Sequence, residues 1–419
     1  MNGLHLSGDL NGCRCDPLLL VEGKRLESVC LEMVRASGLA VIDSRFHQFE
    51  GAGLTGTVVL AESHLAIHTW PETRGLTLEV YARNDSAEHS AKARRLFEAL
   101  IAHFEPGEVA RHAVDRGQHL IMEALNDSTG FYIKATKKLG EWQTKHHRLE
   151  VYDTPHYGRI FRLDGHNMTS EREEFVHHEN LVHPALTAHL APRKVLIVGG
   201  GDGGSAEEAL KHPSVEQVTL CEIDEDLIKV AKAHFQAVHR GAFDDPRLRL
   251  MVGDGRKLIG ETAERFDLVV LELNDPVGPA EGLYATEFFQ RCRHALAPGG
   301  ALALHIGAPV ARPERVAELA QRLNGVFRIV RPYTLYIPLY GAQWAMAVCS
   351  DKLDPKAFTA DEIDRRIEQR KLQDLRFYNG ETHEGVFALP NFVRDLVNPP
   401  RLKQPARGRR LGVVRTAAK

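Results

Sequence analysis

The chain has few cysteines, no long apolar run and little net charge, and each shortage excludes a class of protein. Its 419 residues include six cysteines without the spacing of metal ligands: Cys13, Cys15, Cys30, Cys221, Cys292 and Cys349. We therefore expect reduced, buried thiols and no metal site. No segment is long and apolar enough to span a bilayer, and no signal-peptide core follows Met1, so the prediction is a cytoplasmic protein.

The acidic and basic side chains nearly balance. The formal net charge is −3 at pH 7, which argues against nucleic acid or a membrane surface as a partner. Only the tail, residues 401–419, is markedly basic. A solvated, disordered end is the simpler interpretation of that tail.

What remains is the composition of an ordinary globular protein, 43% hydrophobic and 26% charged, long enough for two or three domains. Strand patterns and two amphipathic helices predict a two-layer α/β sandwich over residues 1–117. A weakly periodic stretch predicts a linker at 118–130. Hairpin patterns predict a small β-region at 131–190. Over 191–400, strands alternate with helices after a glycine loop, which predicts a doubly wound, Rossmann-like parallel sheet.

Ser63 lies in the run LAESHLAIHTWPE, residues 60–72. If its hydroxyl attacks the Glu62 carbonyl at a strained strand end, an ester forms, and elimination leaves a pyruvoyl group. Such a carbonyl forms a Schiff base with an amino acid and accepts electrons during decarboxylation. His68 is a candidate proton donor or acceptor for the cleavage. The alternative is an ordinary alternating strand in which the serine and histidine are structural.

Acidic residues follow the predicted parallel strands. Asp202 lies inside the glycine loop, where it would repel a pyrophosphate and suits an amine-bearing nucleoside. Glu222 ends the next strand, where a carboxylate can accept hydrogen bonds from both ribose hydroxyls. Asp254 ends the third strand and can accept one from an adenine amine. Together they predict a site for an adenosine sulfonium ligand.

Three further runs carry a resemblance to a known family. LVVLELNDPVGPAEGLY, YIPLYGAQW and LRFYNGETHEGVFALPNFV resemble the polyamine aminopropyltransferases, the spermidine synthase family, over about residues 130–400. The resemblance implies that Asp202 holds the amine of decarboxylated S-adenosylmethionine, with Glu222 at its ribose and Asp254 at its adenine. It also implies the residues of the polyamine site, which are His178, Asp275, Tyr340 and Trp344.

The chain departs from that family at three positions. The acidic residue that takes a proton from the attacking amine is Glu272, where the D-x-x-D-P motif has aspartate. His177 stands in place of the usual tyrosine, and Met168 in place of the usual glutamine. Glutamate preserves base catalysis but changes its geometry. The departures concern the amine acceptor, putrescine or another amine, more than the donor. A small-molecule methyltransferase is the alternative, although the N-D-P-V-G-P and Y-I-P-L-Y runs argue against it.

The first half resembles the bacterial S-adenosylmethionine decarboxylases over about residues 1–115, on the run GLTGTVVLAESHLAIHTWPE. The resemblance implies that Ser63 is the pyruvoyl precursor. It assigns Thr55 and His68 to processing and places Phe49 near the substrate.

One position departs from this second pattern. Arg83 stands where the family has the cysteine that protonates the carbanion after carbon dioxide leaves. Arginine stays protonated and disfavours a nearby sulfonium, but it can hold a carboxylate. Three hypotheses follow: decarboxylation of S-adenosylmethionine with water or His68 as the proton donor, decarboxylation of ornithine or arginine, or a non-catalytic structural or regulatory domain.

The sequence thus predicts a bifunctional enzyme of polyamine biosynthesis. Its cofactor would be a covalent pyruvoyl group made from Ser63, with chains 1–62 and 63–419 after cleavage. Its substrates would be S-adenosylmethionine or a basic amino acid, decarboxylated S-adenosylmethionine, and putrescine or another polyamine. Both parent families tend to self-associate, so we expect a homo-oligomer.

Overall fold

The computed structural model describes residues 3–61, 63–83, 87–116, 119–274 and 282–398. Glu62, Asp275 and the basic tail lie outside these ranges. Contacts divide the chain into two compact units, Met1–His119 and Leu120–Lys419. Within the described ranges, no helix is long and apolar enough to cross a membrane.

The N-terminal unit is an antiparallel sheet with two helices packed on one face. Its strands and helices are β1 (Gly3–Asn11), α1 (Gly23–Ser37), β2 (Val41–Gln48), β3 (Leu54–Leu60), β4 (Ser63–Trp70), β5 (Gly75–Arg83), α2 (Ala87–Phe104) and β6 (Glu108–Arg116). Neighbouring strands follow the order β2-β3-β4-β5-β1-β6. The predicted two-layer sandwich is confirmed.

Strand periodicity explains which face the helices cover. In β4, Leu65 and Ile67 are fully buried against the helices. His68, the next residue along the strand, points to the other face and is exposed. The first helix ends where Gly38 adopts a left-handed conformation, with φ of 81°. Burial on one face only therefore leaves the opposite face of the sheet exposed, including the apolar side chains of Val59 and Trp70.

The segment predicted as a linker folds differently. Strand β6 pairs with β1, and two further strands, β7 (His119–Ala124) and β8 (Gly130–Ala135), form a hairpin where residues 118–130 were expected to connect domains. In an edge strand or a two-stranded hairpin, apolar and polar residues alternate only weakly. Hydrophobic periodicity therefore gives little sign of a strand there.

A second antiparallel sheet begins the C-terminal unit. It contains β9 (Lys137–Gln143), β10 (Arg148–Thr154), β11 (Gly158–Leu163) and β12 (His166–Ser170) in the order β12-β11-β10-β9. The end of the predicted β-region is instead a helix, α3 (Glu174–Ala188), almost all of whose residues are buried. A helix that is buried all round lacks the amphipathic pattern by which helices are recognised.

The remainder is a seven-stranded sheet with helices on both faces. Its elements are β13 (Lys194–Gly199), α4 (Gly204–Leu210), β14 (Gln217–Glu222), α5 (Glu225–His234), α6 (Gln236–His239), β15 (Leu248–Val252), α7 (Gly255–Glu261), β16 (Phe266–Glu272), α8 (Thr286–Ala295), β17 (Leu296–Gly307), α9 (Pro313–Val326), β18 (Ile329–Ile337), β19 (Ala342–Ser350), α10 (Ala360–Gln369), α11 (Gly380–Val386) and α12 (Asn391–Val397).

The order of this sheet is β15-β14-β13-β16-β17-β19-β18, parallel except for the pairings of β19. The strand order reverses between β13 and β16, and ligands of such sheets bind outside the carboxyl ends of the strands at this reversal. Gly199 and Glu272 are paired there, at the ends of the two strands. The predicted doubly wound sheet is confirmed, and its crevice is where the candidate site lies.

Candidate active sites

The C-terminal site centres on a buried histidine between carboxylates. His178, on α3, has its Nε2 3.0 Å from Glu272 Oε1 and 3.5 Å from Asp202 Oδ2. Its Nδ1 lies 2.8 Å from Glu174 Oε2. Burial alone would lower the pKa of His178, but Asp202 and Glu272 outweigh burial and raise the pKa well above its ordinary value. An imidazolium therefore holds the two predicted site carboxylates together.

Glycines make this approach possible. Gly200 has a φ of 67°, and a Cβ at this position would lie 2.5 Å from Glu272 Oε2. A Cβ at Gly204, the first residue of α4, would lie 2.2 Å from the His178 ring. The loop was expected to need glycine because a ligand approaches its backbone. Glycine is already required there by the side chains of Glu272 and His178.

Asp202 lies at the start of α4. Its Oδ1 accepts a hydrogen bond from the Gly204 amide at 3.0 Å, and only 8% of the residue is exposed. Although burial would raise the pKa of Asp202, the charge of His178 and the hydrogen bond from it lower the pKa below its usual value. The ionised carboxylate suits the amine that the sequence assigned to it.

The two predicted nucleoside contacts differ in their surroundings. Glu222 is buried at the end of β14, where its Oε1 accepts from the Asp224 amide at 2.9 Å, and burial raises the pKa of this carboxyl to about 7. Asp254 precedes α7 and is more exposed. It accepts from Arg256 through both carboxylate oxygens, at 2.8 Å from the amide and 3.0 Å from the guanidinium, which lowers its pKa. The adenine amine would therefore share Asp254 with Arg256.

The side of the site that was predicted to hold the polyamine is aromatic. The ring centroids of Tyr340 and Trp344 are 5.1 Å apart, and that of His177 is 5.8 Å from Tyr340. The Tyr340 hydroxyl donates to the Met168 carbonyl at 2.8 Å, so position 168 contributes its backbone here. Burial and then the neighbouring His178 lower the pKa of His177 well below its usual value. Asp275 was predicted for this region but lies outside the described residues.

Sequence reasoning missed several supporting residues. His305, on β17, joins Trp344 Nε1 to the Leu273 carbonyl, at 3.4 and 2.7 Å. Glu174 is held by Arg240 at 2.8 Å while it contacts His178. His305 lies on β17 in the otherwise apolar run ALALHIG, which gave no signal of a site. Glu174 was visible in the EEFVHHE run, and its i, i+4 spacing from His178 was the available signal.

In the N-terminal unit, Ser63 begins β4 directly after a tight connection. Leu60 pairs with Ser63, so only Ala61 and Glu62 join β3 to β4. The Ser63 Oγ is buried and has no hydrogen-bond partner among the residues described. A buried hydroxyl without a partner is costly and often marks a functional position.

The other predicted residues of this unit lie apart from Ser63. His68 is five residues along β4, about 16 Å away at the usual strand rise and on the opposite face. It pairs with Thr55, whose Oγ1 lies 2.8 Å from His68 Nδ1. Phe49, just after β2, is 47% exposed and packs against His47. Within one chain the structure therefore brings Thr55 to His68, but neither of them to Ser63.

Arg83 is the last residue of β5. Its neighbour Ala82 pairs with Ser63, and Arg83 itself pairs with Gly3 of β1 and is exposed. Strand alternation points Arg83 to the face opposite Ala82 and Ser63. Arg83 is therefore the neighbour of the residue that pairs with Ser63, but its side chain lies on the other face of the sheet.

The sheet order and the acidic strand ends of the C-terminal unit define a protein of the methyltransferase-like fold class. Residues 174–361 match the family model of the spermine/spermidine synthase domain, and residues 4–117 match that of S-adenosylmethionine decarboxylase. The polyamine aminopropyltransferase of Nitrosomonas europaea is 48% identical over 280 residues, which cover 67% of this chain and 86% of that protein. The polyamine aminopropyltransferase 2 of Hyperthermus butylicus is 40% identical over 260 residues, or 62% and 85% of the two chains.

Solved structures of spermidine synthases are also similar to this chain. A spermidine synthase crystallised with the transition-state analogue AdoDATO superposes with a TM-score of 0.63 at 33% identity, over 67% of this chain and 94% of that one. The spermidine synthase of Thermotoga maritima gives 0.61 at 31% identity over the same shares. The chain belongs to the polyamine aminopropyltransferase family and carries an S-adenosylmethionine decarboxylase domain before the transferase. It is an enzyme of polyamine biosynthesis, and this family membership decides against the methyltransferase alternative.

Proposed function

We propose that the C-terminal unit transfers an aminopropyl group from decarboxylated S-adenosylmethionine to putrescine, which yields spermidine. One observation carries the proposal: His178 holds the carboxylates of Asp202 and Glu272 on either side of a single crevice, within 3.5 Å of its Nε2. Asp202 would bind the donor's amine. Glu272 would accept the proton of the attacking amine while the carbon–sulfur bond breaks and methylthioadenosine leaves.

Tyr340 and Trp344 support the acceptor half of this proposal. Their rings, inclined at 57° to each other, and the neighbouring His177 form an aromatic wall beside Glu272. Such rings suit the methylene chain of a diamine and attract its cationic ends. Holding both reactants in line in this crevice supplies most of the rate enhancement that a direct displacement requires, and no metal has to take part.

The Glu222 carboxyl predicts a pH dependence for the donor site. Burial raises its pKa to about 7, although the hydrogen bond from the Asp224 amide and the nearby His147 partly oppose this shift. Below that pH the group is a neutral acid, and above it the carboxylate can make the stronger, charge-assisted bonds to the ribose. We expect the Kd of methylthioadenosine, measured by calorimetry without acceptor, to fall roughly fivefold as the pH rises through 7.

Methylthioadenosine carries the ribose and adenine but lacks the aminopropyl group, so its binding does not report on Asp202. The Glu222→Gln variant should bind it more weakly at high pH and lose the pH dependence. A profile that survives this substitution would assign the titration to another group.

For the N-terminal unit, we propose that Ser63 becomes a pyruvoyl group by self-cleavage and that the domain decarboxylates S-adenosylmethionine. The buried Ser63 Oγ at the start of β4, which has no partner among the described residues, supports the cleavage. The decarboxylase family to which residues 4–117 belong is pyruvoyl-dependent. The two units would then make and use the same intermediate in one cytoplasmic protein. Because the structure places His68 far from Ser63 within one chain, a homo-oligomer in which another copy supplies His68 is part of this proposal.

Arg83 favours a second candidate substrate. Like His68, it lies on the face opposite Ser63, so in the proposed homo-oligomer its guanidinium would hold the carboxylate of a substrate bound to another copy. An amino acid without a sulfonium, ornithine or arginine, would meet less repulsion there. Decarboxylated ornithine is putrescine, the acceptor of the transferase.

Released carbon dioxide distinguishes these candidates. We expect the purified chain to release labelled carbon dioxide from S-adenosylmethionine faster than from ornithine or arginine. The Arg83→Cys variant should be faster still, by up to about 10²-fold, because a thiol can supply the proton that arginine does not. Arg45→Cys, an exposed position in the same sheet, is the matched control. Faster release from ornithine or arginine would support the second candidate, and no release from any of the three would indicate a non-catalytic domain.

A further inference from the structure

We propose that His177, His178 and Glu272 bind a divalent transition metal ion such as Zn²⁺, and that this ion excludes the acceptor amine. Their donor atoms all lie within 4.8 Å of one another, the one such group of histidines and carboxylates found in the described part of the chain. Two histidines and one glutamate are an established ligand set for zinc. The ion would be an inhibitor of the transferase, with no part in its chemistry.

The distances are close to those of a tetrahedral site. Glu272 Oε1 is 3.0 Å from His178 Nε2 and 3.9 Å from His177 Nε2. Ligands about 2.0–2.1 Å from a tetrahedral zinc lie about 3.3 Å apart. Small rotations of side chains that already converge would therefore suffice. Binding would release to solvent the proton that His178 Nε2 shares with Glu272.

The surroundings of His178 match those of metal-binding histidines. A ligating histidine usually donates its second ring nitrogen to a carboxylate, which fixes the orientation of the ring. Here Glu174 Oε2 lies 2.8 Å from His178 Nδ1, and Arg240 holds the other oxygen of Glu174 at 2.8 Å. Both Glu174 and His178 are almost fully buried. The imidazole is thus held in place with Nε2 directed at Glu272.

The other two ligands have unused polar atoms. Glu272 Oε2 and His177 Nδ1 are buried and have no hydrogen-bond partner within the described ranges. His177 and Glu272 are also the two positions at which the sequence departs from tyrosine and aspartate. A tyrosine at position 177 would offer no neutral nitrogen, and a shorter aspartate would reach less far. The two departures therefore meet in one cluster and together complete it.

The metal ion and the acceptor amine would compete because both would bind at Glu272. Glu272 is the proposed base for the acceptor amine, and a metal on its carboxylate would block that amine. This consequence rests on the proposed function, whereas metal binding itself does not. Three protein ligands leave the fourth position of the ion to water.

The test is a titration of the full-length chain with Zn²⁺ by calorimetry, and with Co²⁺ by visible absorption. We expect one site and the spectrum of a tetrahedral cobalt ion without thiolate charge transfer. His177→Phe keeps an aromatic ring but no nitrogen. Glu174→Gln removes only the carboxylate that orients a ligand, so it should weaken metal binding about 10–100-fold. His177→Phe removes a ligand itself, so its loss of affinity should be larger. Putrescine should raise the apparent Kd of the metal.

His156→Phe is the matched control, because His156 is an exposed histidine 3.4 Å from Glu173 and belongs to no group of three such donors in the described part of the chain. It should leave metal binding unchanged, and methylthioadenosine binding should show that every variant is folded. Unchanged binding in His177→Phe would overturn the proposal, as would the absence of a tetrahedral cobalt spectrum. If metal binds but putrescine does not displace it, the site exists and the acceptor position of the proposed function is wrong.

Discussion

The Ser63→Ala variant is expected to remain a single species of full-length mass, whereas the unaltered chain separates into fragments 1–62 and 63–419 under denaturing conditions. The reason is chemical, because alanine has no oxygen with which to form the ester that cleavage requires. The larger fragment of the unaltered chain should carry a blocked, pyruvoyl end. Without that carbonyl no Schiff base forms, so decarboxylation should be lost completely.

The fold of the variant should be unaffected. The Ser63 Oγ has no partner among the described residues, and removing an unsatisfied buried hydroxyl costs little stability. Ser7→Ala, in β1 of the same sheet, should still cleave. The C-terminal unit of Ser63→Ala should keep its transferase activity when it is given decarboxylated S-adenosylmethionine. Two fragments from Ser63→Ala, or one full-length species from the unaltered chain, would remove the basis for a pyruvoyl cofactor.

The periodicity of the chain predicted the elements that bury one clear face. Leu65 and Ile67 alternate with polar residues along β4, and Gly38 ends α1 in a left-handed turn. The prediction failed where this contrast is absent. Helix α3 is buried nearly all round and carries histidines and glutamates in place of an apolar stripe, so the pattern around it indicated only strands.

In the candidate site, too, some features could be predicted from the sequence and others could not. Asp202 and Glu222 could be predicted because they lie just after or at the end of a strand, and parallel strands end at one edge of a sheet. Glu272 was predicted from the resemblance to the family motif. The contact of His178 with Glu272 could not be predicted, because it depends on how α3 packs beside β16 in three dimensions. Proximity along the chain was also misleading. Ser63 and His68 are close in sequence but lie on opposite faces of β4, since an odd separation reverses the face of a strand.

His178 connects the proposals for the transferase. In the unliganded crevice its imidazolium neutralises Asp202 and Glu272, whose carboxylates would otherwise repel each other. The substrates bring a sulfonium and amines to the same carboxylates. The proposed metal ion would replace these cations, which explains why one cluster can serve catalysis and inhibition.

Glu272→Gln should lower the kcat of aminopropyl transfer by about 10²–10⁴-fold, the usual contribution of a positioned general base. An amide cannot accept the proton of the attacking amine, although it preserves the size of the side chain and can still accept a hydrogen bond from His178. The loss should therefore appear in kcat, because Asp202 and Glu222 still bind the donor. Steady-state kinetics with decarboxylated S-adenosylmethionine and putrescine would measure kcat and KM separately.

Two further variants distinguish base catalysis from a structural effect. Glu272→Asp restores the residue of the family motif, so it should retain far more activity than the amide, because the charge and the base remain. Glu216→Gln, which changes an exposed glutamate directly before β14, should behave like the unaltered chain. A Glu272→Gln enzyme with more than a tenth of the original kcat would show that another group takes the proton. The neutral imidazole of His177, 3.9 Å from Glu272 and next to Tyr340, would then be the first candidate.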